Sequence, residues 1–258
     1  MTYVKNYLNQ RLKMGWLRAN ATGKGVEVAV IDSGVDATHP DLAGRVSRAC
    51  RVFEKDGKAV CEEVDPAGLP DSYGHGTAVA GIISSIAPDA RIINVKVLNE
   101  YNACSADILL EGLRWTLGQN VSLINMSLAL SNERFFPGMF RLCERAYEKS
   151  SIVVASRRNF GDMGCPSMFS TVISVDRGDF ENPDALKFSK GSLIEYDAHG
   201  TRIRVPVPGG GYEEQSGTSF ATPRVTGFVA LLLERFPRLL SFEVKTILKA
   251  MAGWTPKD

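Results

Sequence analysis

Short, almost continuously apolar runs rich in β-branched residues alternate along the chain with longer stretches whose apolar positions recur at helical spacing. Residues 26–31, 92–97, 123–126, 152–154 and 172–175 are of strand length and lack a polar face, which predicts strands covered on both sides. Between them, residues 106–117 gather Ile108, Leu109, Leu113 and Leu117 on one side of a helix, and residues 133–149 read as another. The Pro- and Gly-rich segment 202–213 predicts a hairpin, and residues 219–235 and 241–252 two closing helices. Strand–helix alternation implies right-handed βαβ units, hence an α/β fold of three layers with a mainly parallel central sheet and helices on both faces. No repeat or low-complexity linker divides residues 1–258, which read as a single domain.

Composition narrows the function classes. A chain of 258 residues can bury roughly 70–75% of its extended surface, enough for a core without staples. Thirty basic against 29 acidic residues leave a formal charge of +1, so no field of one sign would draw the protein to nucleic acid or to an anionic membrane. Five widely spaced cysteines (Cys50, Cys61, Cys104, Cys143, Cys165) match neither a metal site nor a redox motif and fit a reducing compartment. Residues 1–20 hold no unbroken apolar run, and none elsewhere approaches the roughly 20 residues of a membrane span. The expectation is a soluble cytoplasmic protein; nothing in the sequence sets its oligomeric state.

In a doubly wound sheet the chemistry gathers where strands end. Asp32 ends the run 26–31 and precedes Ser33 and Gly34, a setting equally suited to a turn or capping aspartate. His75 stands between Gly74 and Gly76 at the start of a small-residue helix, where glycines permit close approach, though a capping role would explain it as well. Ser219 opens a long apolar helix, as an ordinary N-cap serine would, but free N–H groups at such an end also stabilise an oxyanion. Taken together, the order Asp, His, Ser, with Asp-Ser-Gly, His-Gly-Thr and Gly-Thr-Ser-Phe-Ala-Thr-Pro around them, resembles the subtilase family. The resemblance runs from about Gly23 to the end and includes segments 38–42 and 124–128.

The resemblance implies a serine endopeptidase acting through an acyl-enzyme, with Asp32, His75 and Ser219 as the triad and no cofactor. Asn159 ends the segment 153–159, which lies where the family has a strand ending in Ala-Gly-Asn, so it falls on the oxyanion asparagine. The substrate, a peptide or protein, would pair as an added strand between Asn102-Ala103-Cys104 and Ser127-Leu128-Ala129, with Ser156, Arg157 and Arg158 walling the pocket for the side chain before the cut bond. Ala106 falls where many relatives carry a bulky residue, so the pocket four residues before the cut would be open. Cys104 on the cleft edge would be either thiol-sensitive or inert.

Three departures bear on specificity. Arg157 and Arg158 stand where the family usually has small residues, so either Arg158 selects an acidic or polar side chain or narrows the pocket, or both guanidinium groups point to solvent or an internal carboxylate. The segment 87–91 lacks the family's calcium-binding loop, and Asp41 alone cannot form a cage of six to eight oxygens, so no metal is expected there. Only an extension, residues 1–22, precedes the family's opening segment, leaving no room for a folding propeptide. These features favour a restricted intracellular processing protease, for example a leader-removing one. A general degradative subtilisin and a catalytically silent peptide-binding module are the alternatives.

Overall fold

The computed structural model describes residues 13–159 and 164–252, so most of the expected N-terminal extension, residues 1–12, lies outside them. The strand β1 (Glu27–Asp32) is buried beyond its first residue and shows how the three layers arise. Val28 and Val30 pack into one apolar cluster and Ala29 and Ile31 into another, because successive side chains of a strand point to opposite faces. A strand with helices on both sides must be apolar at every position, which is why its sequence does not alternate.

The central sheet also contains β2 (Val46–Lys55), β3 (Lys58–Val64), β4 (Arg91–Lys96), β5 (Leu123–Met126), β6 (Ile152–Ser156), β7 (Ile173–Gly178), β8 (Leu186–Phe188) and β9 (Tyr196–His199). Among the described residues their order is β3-β2-β4-β1-β5-β6-β7-β9-β8. Pairing is parallel from β2 across to β9, and an antiparallel partner closes each edge, β3 on β2 and β8 on β9. The order reverses at β1, which lies between β4 and β5, so the crevice beyond its carboxyl end is where a site is expected.

One face of the sheet is covered by α1 (Met14–Asn20), α2 (His75–Ile86), α5 (Thr218–Arg235) and α6 (Ser241–Met251), the other by α3 (Ala106–Gly118) and α4 (Phe136–Glu148). The helices α2 and α5 approach closely because Gly227 has no side chain; a Cβ there would lie 2.7 Å from that of Ile86. Their N-termini carry His75 and Ser219, so this crossing helps fix the distance between the two.

The expected hairpin is present as β10 (Ile203–Pro206) paired with β11 (Tyr212–Gln215). The helix expected over 133–149 is divided: a 3-10 turn, Glu133–Phe135, capped by Asn132, precedes α4, with Pro137 in the helix's first turn, where a missing N–H costs nothing. The strand expected at 172–175 is shifted to β7. The β2–β3 and β8–β9 pairs are additional. The five cysteines are free, and among the described residues no helix is long and apolar enough to cross a membrane.

Candidate active site

Asp32 closes β1 with 1% of its surface exposed. Its Oδ1 accepts hydrogen bonds from the Ser33 N–H and from His75 Nδ1, both at 2.8 Å. A proton on Nδ1 leaves Nε2 as an acceptor facing away from the carboxylate. His75 is the first residue of α2, and the glycines beside it are needed for that placement. Gly74 has φ of 105°, and a Cβ on Gly76 would fall 2.0 Å from the carbonyl oxygen of Gly34.

A buried carboxylate locks the start of α2 to the end of β1. Asp71 Oδ1 accepts from Ser33 Oγ (2.8 Å), Tyr73 N–H (3.0 Å) and Gly74 N–H (2.8 Å), and its Oδ2 accepts from the N–H (2.8 Å) and hydroxyl (2.7 Å) of Thr77. Ser33 Oγ in turn accepts from Gly76 N–H at 3.0 Å. Asp71 thereby satisfies several N–H groups that a helix start leaves open. Burial disfavours the charged form of His75, but the Asp32 carboxylate, acting by charge and by hydrogen bond, and the charge of Asp71 outweigh it, so its pKa lies above the ordinary imidazole value.

Ser219 stands in the first turn of α5, 8% exposed. Its hydroxyl donates to the Ser127 carbonyl at 3.0 Å, while its own carbonyl accepts from Ser127 Oγ at 3.0 Å. Behind this pair runs a buried relay: Thr226 Oγ1 donates to Asn125 Oδ1 (2.7 Å), and Asn125 Nδ2 donates to Ser127 Oγ (3.0 Å). The relay joins β5 to α5 and so fixes the backbone that carries Ser219. Asn159 is held through its oxygen, Oδ1 accepting from the Thr218 N–H (3.2 Å) and hydroxyl (3.0 Å), which leaves its NH₂ as a donor beside Ser219.

A cleft of about 540 Å³ brings together every expected site residue except Asp32, which supports His75 from behind. One wall carries Asn102, Ala103 and Cys104, the facing wall Ser127, Leu128 and Ala129, and Ala106 also borders it. Ser156, Arg157, Arg158 and Asn159 form its end. The two arginines differ. Arg157 is drawn aside by Asp176, its Nη1 lying 2.6 Å from Oδ2 in an exposed pair. Arg158 is exposed on the cleft lining and forms no ion pair among the described residues. Burial pushes the Cys104 thiol up to about 11, which keeps it protonated at neutral pH and makes it a weaker nucleophile than a free thiol.

Asp41 gives its carboxylate to the Tyr212 hydroxyl (2.8 Å), and His39 Nε2 lies 3.1 Å from the Gly211 carbonyl, so the 38–42 segment braces the β10–β11 hairpin. Among the described residues no group of three or more His, Cys, Asp or Glu side chains is placed to hold a metal ion. Residue order did not single out Ser33, Asp71 and Asn125 for roles. The signal for Asn125 was a polar residue inside an apolar strand; for Asp71 it was a carboxylate four residues before a helix start.

The subtilase family model matches residues 23–257, and the chain belongs to that family. It is 34% identical over 226 residues to an intracellular serine protease of Paenibacillus polymyxa, covering 81% of this chain and 67% of that protein. It is 32% identical over 248 residues to subtilisin E of Bacillus subtilis, covering 90% and 62%. The chain thus spans about two thirds of the length of these curated relatives. A cold-adapted subtilisin-like serine proteinase superposes with a TM-score of 0.71 at 26% identity, covering 90% of this chain and 83% of that one. The S41 psychrophilic protease has the same fold, with a TM-score of 0.74 at 24% identity over 92% of this chain and 87% of that one.

Proposed function

We propose that the chain is a serine endopeptidase with Asp32, His75 and Ser219 as its triad and Asn159 as an oxyanion donor. The observation that carries this reading is the 2.8 Å bond from His75 Nδ1 to Asp32 Oδ1, which leaves Nε2 available in a cleft shared with Ser219 and Asn159. A peptide laid along Ser127–Ala129 offers an N–H to the Ser127 carbonyl, releasing the Ser219 hydroxyl towards His75. His75 Nε2 takes the hydroxyl proton as Oγ bonds to the carbonyl carbon, and the oxyanion is met by the Asn159 NH₂ and the free N–H of Ser219. The C–N bond then breaks, the proton passes to the leaving amine, and water cleaves the acyl-enzyme by the same route. Incubation with casein or a quenched-fluorescence peptide should produce new amino termini, and Ser219→Ala should stop them. Absence of new termini from the wild type would remove this reading.

His75 must be neutral to accept the proton, so its raised pKa sets the acidic limb of activity. Activity should rise with pH through a midpoint above the ordinary imidazole value of about 6.5. Asp71→Asn removes one of the charges that favour the imidazolium, so the midpoint should move to lower pH. A pH–kcat/KM profile checks the sign; a midpoint that rises or stays would contradict the role given to Asp71.

Within this activity we favour a cytoplasmic processing protease of restricted specificity over a general degradative one. Arg158, which lines the cleft with Asn159 and forms no ion pair among the described residues, supports selection of an acidic residue before the cut bond. The relative named as an intracellular serine protease supports the location. Matched peptides with Glu, Leu or Arg before the bond should be cleaved fastest with Glu, by about fivefold over Leu, and Arg158→Ala should erase the difference. A preference for Leu, with ready digestion of casein, would point to the degradative role.

A further inference from the structure

The cleft continues beyond Ser219. A second hollow of about 240 Å³ shares His75, Asn102, Asn159 and Ser219 with the first and extends from them towards the β10–β11 hairpin, bordered by Tyr73 and Phe220. Under the endopeptidase reading, the acyl half of a substrate occupies the first cleft between its two edge segments, so the half that departs with the amine must run into this second hollow.

Glu213 and Gln215 line that hollow from β11. They lie opposite Val205 and Ile203 in the hairpin and share a face with them. The Glu213 carboxylate accepts only from Gln215 Nε2, at 2.8 Å, and meets no cation among the described residues. The arginine of the neighbouring strand is engaged elsewhere: Arg204 lies opposite Glu214 on the other face, its guanidinium 3.5 Å from the centre of the Tyr212 ring. Apart from His75, Glu213 is the one ionisable acid or base among the hollow's described lining besides the tyrosine hydroxyl. A carboxylate without a cation, at the wall of a concave site, is an electrostatic invitation to a positively charged side chain.

We propose that Glu213 is a specificity-determining residue that selects lysine or arginine one or two positions beyond the cut bond. The inference rests on the endopeptidase reading. With Arg158 on the acyl side, it makes the cleft electrically polarised, positive before the bond and negative after it. The substrate class that fits is a peptide whose cut site passes from acidic to basic residues.

The test uses peptides identical up to the cut bond that carry Lys, Leu or Glu at the two following positions. The wild type should favour Lys over Glu by roughly tenfold in kcat/KM at low ionic strength, since attraction of one charge and repulsion of the other both contribute. The ratio should shrink in high salt, fall towards one in Glu213→Gln and invert in Glu213→Lys. A fluorophosphonate is applied to the same preparations to report whether Ser219 reacts. A wild-type ratio near one, or a ratio unchanged in Glu213→Gln, with Ser219 labelled, overturns the role of Glu213 and leaves the peptidase reading standing. No labelling of wild-type Ser219 overturns both.

Discussion

Replacing Ser219 by alanine is expected to lower kcat by roughly 10⁶-fold, the scale known for loss of the nucleophile in subtilisin. The substitution removes one oxygen that bonds only to the Ser127 carbonyl, so the fold has little reason to change. The Ser127 hydroxyl still reaches the main-chain carbonyl of residue 219, and the relay through Asn125 stays intact. KM should therefore move little while turnover collapses. In the proposed mechanism His75 acts through the serine, so adding His75→Ala to the Ser219→Ala variant should cost almost nothing more. Steady-state kinetics on one fluorogenic peptide would measure all of these; a Ser219→Ala variant within tenfold of the wild type would place the chemistry elsewhere.

Asn159→Ala is expected to lower kcat by about 10²–10³-fold with KM nearly unchanged, a range taken from the equivalent loss in subtilisin. The side chain has two jobs that the experiment must separate. Its oxygen accepts from the Thr218 N–H and hydroxyl, which orients the start of α5, and in the proposed mechanism its NH₂ donates to the oxyanion. Asn159→Asp keeps the acceptor oxygen, removes the donor and sets a negative charge near a developing one. If donation is what matters, the aspartate variant should be at least as slow as the alanine variant. Recovery of activity in Asn159→Asp would mean that the contact with Thr218, not donation, is the useful part.

The fold was readable in the sequence where burial is complete. The strands β1, β4, β5 and β6 are apolar on both faces, so their runs of valine and isoleucine stand out. The hairpin β2–β3 did not: several of its residues face solvent, and Arg51, Glu54, Lys55, Lys58, Glu62 and Glu63 break the apolar run. The pair β8–β9 escaped notice because each strand is only three or four residues long. Edge pairs are held by backbone bonding to a neighbour that local sequence does not name.

Asp32, His75 and Ser219 could be singled out because each stands beside glycines or small residues at an element boundary. Gly76 makes the reason explicit, since even a methyl group there would collide with the carbonyl of Gly34. The residues that hold the site together were less visible. Asp71 acts on Ser33 and Thr77, and Asn125 on Thr226, partners 38, 6 and 101 positions away. The diverging fates of Arg157 and Arg158 likewise depend on Asp176, contributed by β7, which pairs with β6 in the folded sheet.

A fluorophosphonate tests most directly whether Ser219 is an activated nucleophile, because the reagent reacts with a serine only when a base and an oxyanion site act on it together. Mass spectrometry of the labelled, digested protein should find one adduct, on the peptide containing Ser219. The adduct should be lost in Ser219→Ala and strongly reduced in His75→Ala. A folded wild-type protein that stays unlabelled, or that is labelled equally well without His75, would contradict the account.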